Sequence, residues 1–248
     1  MTQSSVFTIF DISKILSFSY AHLLLIVLSA VIGAVAGVLV LGRRGAQQCR
    51  RPSSKQGRAI LQRMNISHAG VTQWGLTHVD IKPHFTILDV GCGGGQTIKT
   101  LSSRVPDGKV YGIDYSEESV AVARETNRGA IERGQVDIQL GTVSQLPFAD
   151  GTFDVVTAIE THYYWADLPR DVHHLMQVLK PAGVLLVVAE TYRGRRNDWL
   201  IRPIMQGMFR AAYLSPAEHK QLLVDARYRD VEVFEDRERG WICVRGRR

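Results

Sequence analysis

The stretch TILDVGCGGGQTI, residues 86–98, constrains the fold more than any other part of the chain. An apolar run of strand length ends there in a turn with four glycines in five positions, Gly91 and residues 93–95. Glycines permit the tight turn between a parallel strand and the following helix, and ligands bind beside such turns. No Lys-Ser/Thr pair follows, which excludes a Walker-type phosphate loop. The chain is therefore predicted to form an α/β fold that holds a ligand at this turn.

Apolar segments of strand length alternate with amphipathic segments of helix length from about residue 60 onward. This alternation predicts a mostly parallel sheet with helices on both faces. The last two predicted strands are close enough in sequence to form an antiparallel hairpin, which brings the sheet to seven strands. Strands are expected at 86–90, 109–114, 136–141, 153–159, 184–190, 230–235 and 241–245, and helices at 95–104, 116–130, 168–180 and from Ser215-Pro216 onward.

Residues 23–41 carry no ionisable side chain. At ~1.5 Å per residue, a helix of this length crosses the ~30 Å hydrocarbon core of a bilayer, so one transmembrane helix is predicted at residues 20–41. A cleaved signal peptide is the alternative, because residues 34–36, AVA, resemble a cleavage site, but the apolar run continues beyond them. The four-residue spacing of Gly33 and Gly37 fits either a homodimer of closely packed helices or glycines tolerated in a lone anchor.

The net charge of +6 is concentrated beside this apolar segment. The predicted order is a short tail at residues 1–19, the membrane helix, a basic juxtamembrane linker at residues 42–62 and a domain at residues 63–248. The linker contains no Asp or Glu. Cations accumulate on the cytoplasmic side of membrane helices, so the domain is expected in the cytoplasm of a single-pass protein. A nucleic-acid site would place its charge on the domain instead. The cations of this region are Arg43, Arg44, Arg50, Arg51, Lys55, Arg58 and Arg63.

Three further motifs accompany the glycine turn, in which Asp89 lies two residues before the first glycine. Asp114 ends the second strand in VYGIDYS. The stretch LPFADGTFDVV leads into strand four, and VLKPAGVLLVV leads into strand five. Together these motifs resemble the class I S-adenosylmethionine-dependent methyltransferases, within them the small-molecule branch of quinone- and sterol-type methyltransferases. The resemblance covers about residues 60–245 and implies a Rossmann-like sheet.

The resemblance implies S-adenosylmethionine as the cofactor and assigns a role to the turn. Gly91, Gly93 and Gly95 would let the backbone pass close to the cofactor. Asp89 would lie near its methionine end. The alternative role of Asp89 is that of an acid that merely faces a helix.

The adenosine end of the cofactor is assigned in the same way. Asp114 would accept both ribose hydroxyls, since a carboxylate has two oxygens for a vicinal diol, and Tyr115 would lie against the adenine. Many relatives have an acid after the glycine that ends strand three, whereas this chain has Thr142 there. Thr142 and the backbone of Val143 are therefore the expected adenine contacts. Asp114 could alternatively cap the next helix.

The stretch AIETHYYWADLP after strand four is expected at the reactive end of the cofactor. His162 is the predicted general base because imidazole titrates near neutrality, and Glu160 is the second candidate. A packing role is the alternative for His162. In relatives, a leader such as residues 63–84 folds over the cofactor as a lid. Its positions of interest are Met64, Asn65, His68 and Trp74.

The resemblance and the apolar N-terminal segment together predict a methyltransferase that acts on a small, lipophilic acceptor at the cytoplasmic membrane face, with no nucleic-acid partner. Two alternatives stay open. The missing acid at Thr142 favours a non-catalytic, membrane-anchored scaffold that binds the cofactor, and the basic linker favours a nucleic-acid methyltransferase. The three cysteines show no paired spacing, so neither a disulfide framework nor a metal site is predicted. They are Cys49, Cys92 and Cys243.

Overall fold

The structure is a computed structural model that describes Gly42 and residues 45–248. The predicted membrane helix at 20–41, with its Gly33 and Gly37, lies outside the described residues and stays a prediction. Among the residues that are described, no helix is both long and apolar enough to cross a membrane. Residues 45–248 form one compact unit.

A seven-stranded sheet lies at the centre of this unit. Its first five strands pair in parallel, and the last strand in sequence is antiparallel to both of its neighbours. This confirms the predicted mostly parallel sheet and its antiparallel hairpin. The strands are β1 Thr86–Val90, β2 Lys109–Asp114, β3 Val136–Leu140, β4 Phe153–Ile159, β5 Leu179–Ala189, β6 Arg229–Asp236 and β7 Trp241–Arg247, in the spatial order β3-β2-β1-β4-β5-β7-β6.

Helices cover both faces of the sheet, and each face has its own core of buried apolar side chains. The central strands β1, β4 and β5 are buried on both faces because a parallel sheet is enclosed by the helices that connect its strands. Residues 45–50 are also helical. The other helices are α1 Ser54–Ser67, α2 Ala69–Gly75, α3 Gln96–Arg104, α4 Glu117–Thr126, α5 Arg128–Glu132, α6 Leu168–Val178, α7 Asp198–Pro203 and α8 Pro216–Asp225.

Two elements differ from the sequence prediction. The helix expected at 116–130 divides at Asn127, whose Nδ2 donates to the carbonyls of Ala123 and Gly95 at 2.8 and 2.9 Å. Strand β5 begins at Leu179 instead of residue 184 because the stretch 180–183 forms an irregularity within the strand, with a shift of register against β4. Both differences depend on contacts with residues distant in sequence.

Helix α1 runs across the predicted boundary between the basic linker and the domain. It lies against α4, where the guanidinium of Arg58 forms ion pairs with Glu118 at 3.0 Å and Glu125 at 2.7 Å. Just before α1, the hydroxyl of Ser116 donates to the carbonyl of Pro52 at 2.7 Å. Much of the segment predicted as a linker therefore packs on the domain.

Candidate functional site

A cavity of about 290 Å³ opens at the carboxyl ends of β1, β2 and β4. This is the edge of an open parallel sheet at which ligands bind, where the strand order reverses. Its floor, as we call it, consists of Gly91, Gly93, Asp114 and Thr142 from the strand ends. Its roof consists of residues 49–64, of which Cys49, Arg50, Pro52, Leu61 and Met64 line the cavity.

Asp114 ends β2 and is held in one orientation by backbone N–H groups. Its Oδ2 accepts from Gly93 and its Oδ1 accepts from Ser116, both at 2.9 Å. Burial raises the pKa of Asp114, and the two backbone hydrogen bonds oppose that rise. Each carboxylate oxygen keeps a free lone pair, so a diol in the cavity could donate to both. The position fits the predicted ribose contact, and Ser116 rather than Asp114 caps the next helix.

The glycine turn divides into two roles. Gly91 and Gly93 have φ values of +72° and +52° and line the cavity. Gly95 is not part of the cavity wall. A Cβ at Gly95 would lie 2.8 Å from the Cα of Ala123 and 2.6 Å from Nδ2 of Asn127. The third glycine therefore serves close packing of α3 against α4 rather than the approach of a ligand.

Asp89 lies beneath the turn and not on the cavity wall. It is 2% exposed, and its Oδ1 accepts from the Thr157 hydroxyl at 2.7 Å. Burial raises the pKa of Asp89 to about 7, with a smaller contribution from the charge of Asp114. This position does not favour the predicted contact of Asp89 with the methionine end of the cofactor. It suits a residue that holds the floor in place from below.

The remaining adenosine-end residues lie together at the cavity. Tyr115, Thr142 and Val143 all line it. The Tyr115 hydroxyl donates to the carbonyl of Arg50, which links the predicted adenine contact to the roof. The chain turns at Thr142, whose carbonyl accepts from the N–H of Gln145 at 3.1 Å.

The predicted lid residues separate into two groups. Met64 lines the cavity, and Asn65 donates from Nδ2 to the carbonyl of Gly94 at 3.1 Å. His68 lines an adjoining cavity of about 110 Å³ beside the glycine turn, which Asn65 and Met64 also border. Trp74 borders neither cavity and packs against Trp241, with ring centroids 5.9 Å apart.

Glu160 borders both cavities and lies where the predicted methyl end would be. Its φ of +58° is unusual for a residue with a side chain, and such strain is typical of functional positions. The carboxylate accepts from the Tyr163 hydroxyl at 3.2 Å and from the Glu190 N–H. Burial, and then the charge of Glu190, raises the pKa of Glu160 well above its ordinary value.

His162 does not reach either cavity. It is 1% exposed, and its Nε2 lies 3.0 Å from Nε2 of His219. Burial lowers the pKa of His162 well below the ordinary value, as does the neighbouring His219. The pair suits two neutral rings that share one proton in a hydrogen bond, so the geometry does not support His162 as the general base.

Sequence analysis did not identify several residues of the wall, namely Thr161 next to Glu160 and Cys49 and Pro52 of the roof. Tyr164 and Trp165 of the stretch AIETHYYWADLP, which is predicted at the reactive end of the cofactor, line the cavity as well. Cys49 and Pro52 lie in the stretch interpreted as a linker, where no motif indicates a contact with the cavity.

Three possible metal ligands meet at the second cavity. Ligand atoms of His68, Glu160 and Glu190 lie within 4.8 Å of one another, and His68 Nε2 is 3.8 Å from a Glu190 oxygen. Burial lowers the pKa of His68, which favours the neutral ring that can act as a ligand. Two carboxylates at this spacing equally attract an organic cation, so the trio does not by itself distinguish a metal from a sulfonium.

Sequence comparison finds a family match in the centre of the chain. Residues 88–187 match the family described as a methyltransferase domain. A demethylmenaquinone methyltransferase of Symbiobacterium thermophilum is 37% identical over 118 residues, 45% of this chain and 47% of that protein. Nocamycin O-methyltransferase of Saccharothrix syringae is 35% identical over 132 residues, 52% of this chain and 46% of that protein. The chain spans about half the length of these curated relatives.

Solved structures share the fold. A SAM-dependent methyltransferase from Aquifex aeolicus has a TM-score of 0.64 at 24% identity, with 77% of this chain and 97% of that chain covered. Human N-acetylserotonin methyltransferase in complex with SAM has a TM-score of 0.66 at 22% identity, with 79% of this chain and 56% of that chain covered. At these identities the likeness shows the fold alone.

Proposed function

We propose that the chain is a class I, S-adenosylmethionine-dependent methyltransferase and that it transfers a methyl group to a small, lipophilic acceptor. The observation that carries the proposal is the fixed carboxylate of Asp114 in the floor of the cavity. Both its oxygens are oriented by backbone N–H groups, which suits the recognition of a ribose diol.

The residues of the floor and roof would hold the cofactor. Gly91 and Gly93 line the cavity without side chains, so a ligand can approach their backbone closely. When bound, S-adenosylmethionine supplies an activated methyl group on a positively charged sulfur. With the cofactor bound, roof and floor together would exclude water from the cavity and orient the acceptor, which is most of what an in-line methyl transfer requires.

Glu160 is the group that we assign to proton removal. It borders the cavity beside Tyr164 and Trp165, whereas His162 does not. A carboxylate with a raised pKa is a stronger base than an ordinary one, and burial gives Glu160 this property. Glu160 would accept the proton that a hydroxyl or an acidic carbon of the acceptor loses on methylation.

The class of acceptor follows from the relatives and the N-terminal sequence. The comparisons include a demethylmenaquinone methyltransferase and an O-methyltransferase, both with small-molecule acceptors in their names. Residues 20–41 are predicted to cross a bilayer, and the arginines after them support a position of the domain at its cytoplasmic face. An anchored enzyme meets a membrane-dissolved acceptor at a raised effective concentration, which supports a lipophilic substrate.

The test measures binding and turnover separately. Titration of the full chain with S-adenosylmethionine and S-adenosylhomocysteine reports cofactor binding, and release of S-adenosylhomocysteine in vesicles loaded with lipid extract reports transfer. We expect both. Cofactor binding without S-adenosylhomocysteine release, whether a lipid, a quinol or RNA is offered as acceptor, would indicate the non-catalytic scaffold. S-adenosylhomocysteine release with RNA alone would indicate the nucleic-acid methyltransferase.

The same assay tests the role of the membrane. Deletion of residues 1–42 should leave turnover of a water-dissolved acceptor analogue unchanged and lower turnover of an acceptor embedded in vesicles. Equal turnover of the embedded acceptor by both proteins would contradict the anchored arrangement.

A further inference from the structure

An exposed apolar cluster lies on the segment that follows β5. Trp199, Leu200 and Ile204 are 74%, 49% and 43% exposed. Six large apolar side chains are exposed among the described residues, and three of them fall in this short stretch. Isolated exposed apolar residues are ordinary on a protein surface, whereas a contiguous group marks a contact site. We call Trp199, Leu200, Pro203 and Ile204 the apolar tip.

The apolar tip is the outer face of a short helical segment. Helix α7 continues into a π-helical turn at Ile204–Met208. Leu200 and Ile204 are about one turn apart, so they lie on the same face. On the other side of this helical segment, Met205 and Phe209 pack against the buried core of the domain. The segment therefore has an apolar inner face that packs on the domain. Its outer face is also apolar, and none of the described residues covers it.

The tip is held by specific contacts at the start of the helix. The Tyr213 hydroxyl lies 2.7 Å from the Asp198 carboxylate and 2.7 Å from the carbonyl of Tyr192. Tyr213 itself is buried. The exposed tryptophan that follows Asp198 is thus presented by a defined helix, and its exposure is a property of the fold.

Exposed cations flank the tip in sequence. Arg196, Arg202 and Arg210 are exposed, and Asp198, which Tyr213 contacts, is the only acid between residues 191 and 217. An anionic bilayer has the complementary arrangement of an apolar interior beneath negatively charged headgroups. Tryptophan is enriched at this depth, and each cation near such a surface strengthens binding about fivefold.

We propose that the apolar tip inserts into the headgroup region of an anionic bilayer while Arg196, Arg202 and Arg210 contact lipid phosphates. The same segment continues to Ala212, whose N–H donates to the carbonyl of Tyr163 at 2.9 Å, next to Tyr164 on the cavity wall. The contact therefore involves a segment that is hydrogen-bonded beside the cavity wall. The functional role of this contact rests on the proposed methyl transfer, but the contact itself is tested without any methyl acceptor.

The experiment uses the fluorescence of the full chain reconstituted in phosphatidylcholine vesicles with and without phosphatidylglycerol. Brominated phosphatidylcholine quenches tryptophan at the lipid surface, and iodide quenches tryptophan in water. We expect a blue-shifted component that bromolipid quenches and iodide does not. Trp199→Phe should lose this component, whereas the matched control Trp241→Phe, at a partly buried position packed against Trp74, should keep it.

A second variant tests the charges. The triple change Arg196→Gln, Arg202→Gln and Arg210→Gln should abolish the increase in bromolipid quenching that phosphatidylglycerol causes. Quenching that is independent of both phosphatidylglycerol and these arginines would overturn the phosphate contact.

Three outcomes distinguish what surrounds Trp199: lipid, water or protein. Quenching of Trp199 by bromolipid alone supports the proposal. Quenching by iodide alone would mean that the tip stays in water, and shielding from both would mean that the chain itself or a second copy covers it. Either result overturns the proposal. Cofactor titration of the Trp199→Phe variant, with unchanged affinity expected, keeps this result separate from failure of the proposed function.

Discussion

The floor and the roof of the cavity are built in different ways. The floor belongs to the sheet, and its main hydrogen bond, from Gly93 to Asp114, joins two adjacent strand ends. The roof is a helix and its preceding segment, joined to the domain by a few polar contacts such as Ser116 with Pro52. A floor fixed by a sheet is preformed, whereas a roof held at a few points can open. We therefore expect the floor to determine cofactor affinity and the roof to determine how fast the cofactor exchanges.

The largest effect is expected in the floor. Asp114→Ala removes two charge-assisted hydrogen bonds of about 1.5–3 kcal/mol each to the ribose. Cofactor affinity should therefore fall at least tenfold in titration calorimetry, with an unchanged acceptor KM. Asp150→Ala, at an exposed position, is the control and should bind normally. Normal binding by the Asp114 variant would remove the ribose assignment.

A change at the junction of floor and roof should come next. A Cβ at Gly94 would lie 2.5 Å from the side-chain amide of Asn65, so Gly94→Ala should displace that amide and break its hydrogen bond to the Gly94 carbonyl. One lost hydrogen bond of about 1 kcal/mol corresponds to about a fivefold weaker affinity. The double variant with Asn65→Ala removes the clash and should lose no more affinity than Asn65→Ala alone. A further loss in the double variant would place the effect in the floor instead.

Loosening the roof should have a smaller effect on affinity and a clear effect on rates. Arg58→Ala removes both ion pairs between α1 and α4, which lie at the surface. Cofactor dissociation, measured by stopped-flow displacement, should accelerate about threefold, the size expected for exposed pairs. Arg63→Ala, exposed on the same helix, is the matched control and should leave the rate unchanged. Equal rates in all three proteins would show that the roof is not the exit.

The smallest effect on affinity is expected beneath the floor. Asp89→Asn keeps an oxygen for the Thr157 hydroxyl and touches no cavity, so affinity should change by no more than about twofold. A direct contact with the methionine end would give a larger loss.

The pH dependence of the free energy of unfolding is a second and sharper test of the Asp89→Asn variant. The pKa of Asp89 is raised from 3.8 to about 7, so the folded state holds a proton that the unfolded state releases. Between these values, the contribution of Asp89 to the free energy of unfolding falls as pH rises, by at most about 1.4 kcal/mol per pH unit. Urea unfolding of Asp89→Asn should lack this decline. A parallel decline in both proteins would assign it to another group.

Sequence analysis anticipated the floor better than the roof for a physical reason. The glycine turn and Asp114 each belong to a local pattern of strand followed by turn, so their positions follow from the strands themselves. His162 pairs with His219, 57 residues away, and nothing near either residue indicates that contact. Arg50 and Pro52 were assigned to a linker because their composition is basic and polar, although the domain binds their backbone carbonyls.

The interior position of β7 has a consequence for synthesis of the protein. It lies between β5 and β6, with Val244 opposite Val187 on one side and Val233 on the other. On the ribosome, β6 therefore emerges before the strand that connects it to the sheet. Until β7 follows, β5 presents an unpaired apolar edge, which is a template for aggregation. Translation that slows between residues 190 and 240 would prolong this exposure, so the speed of elongation there affects how much of the chain folds.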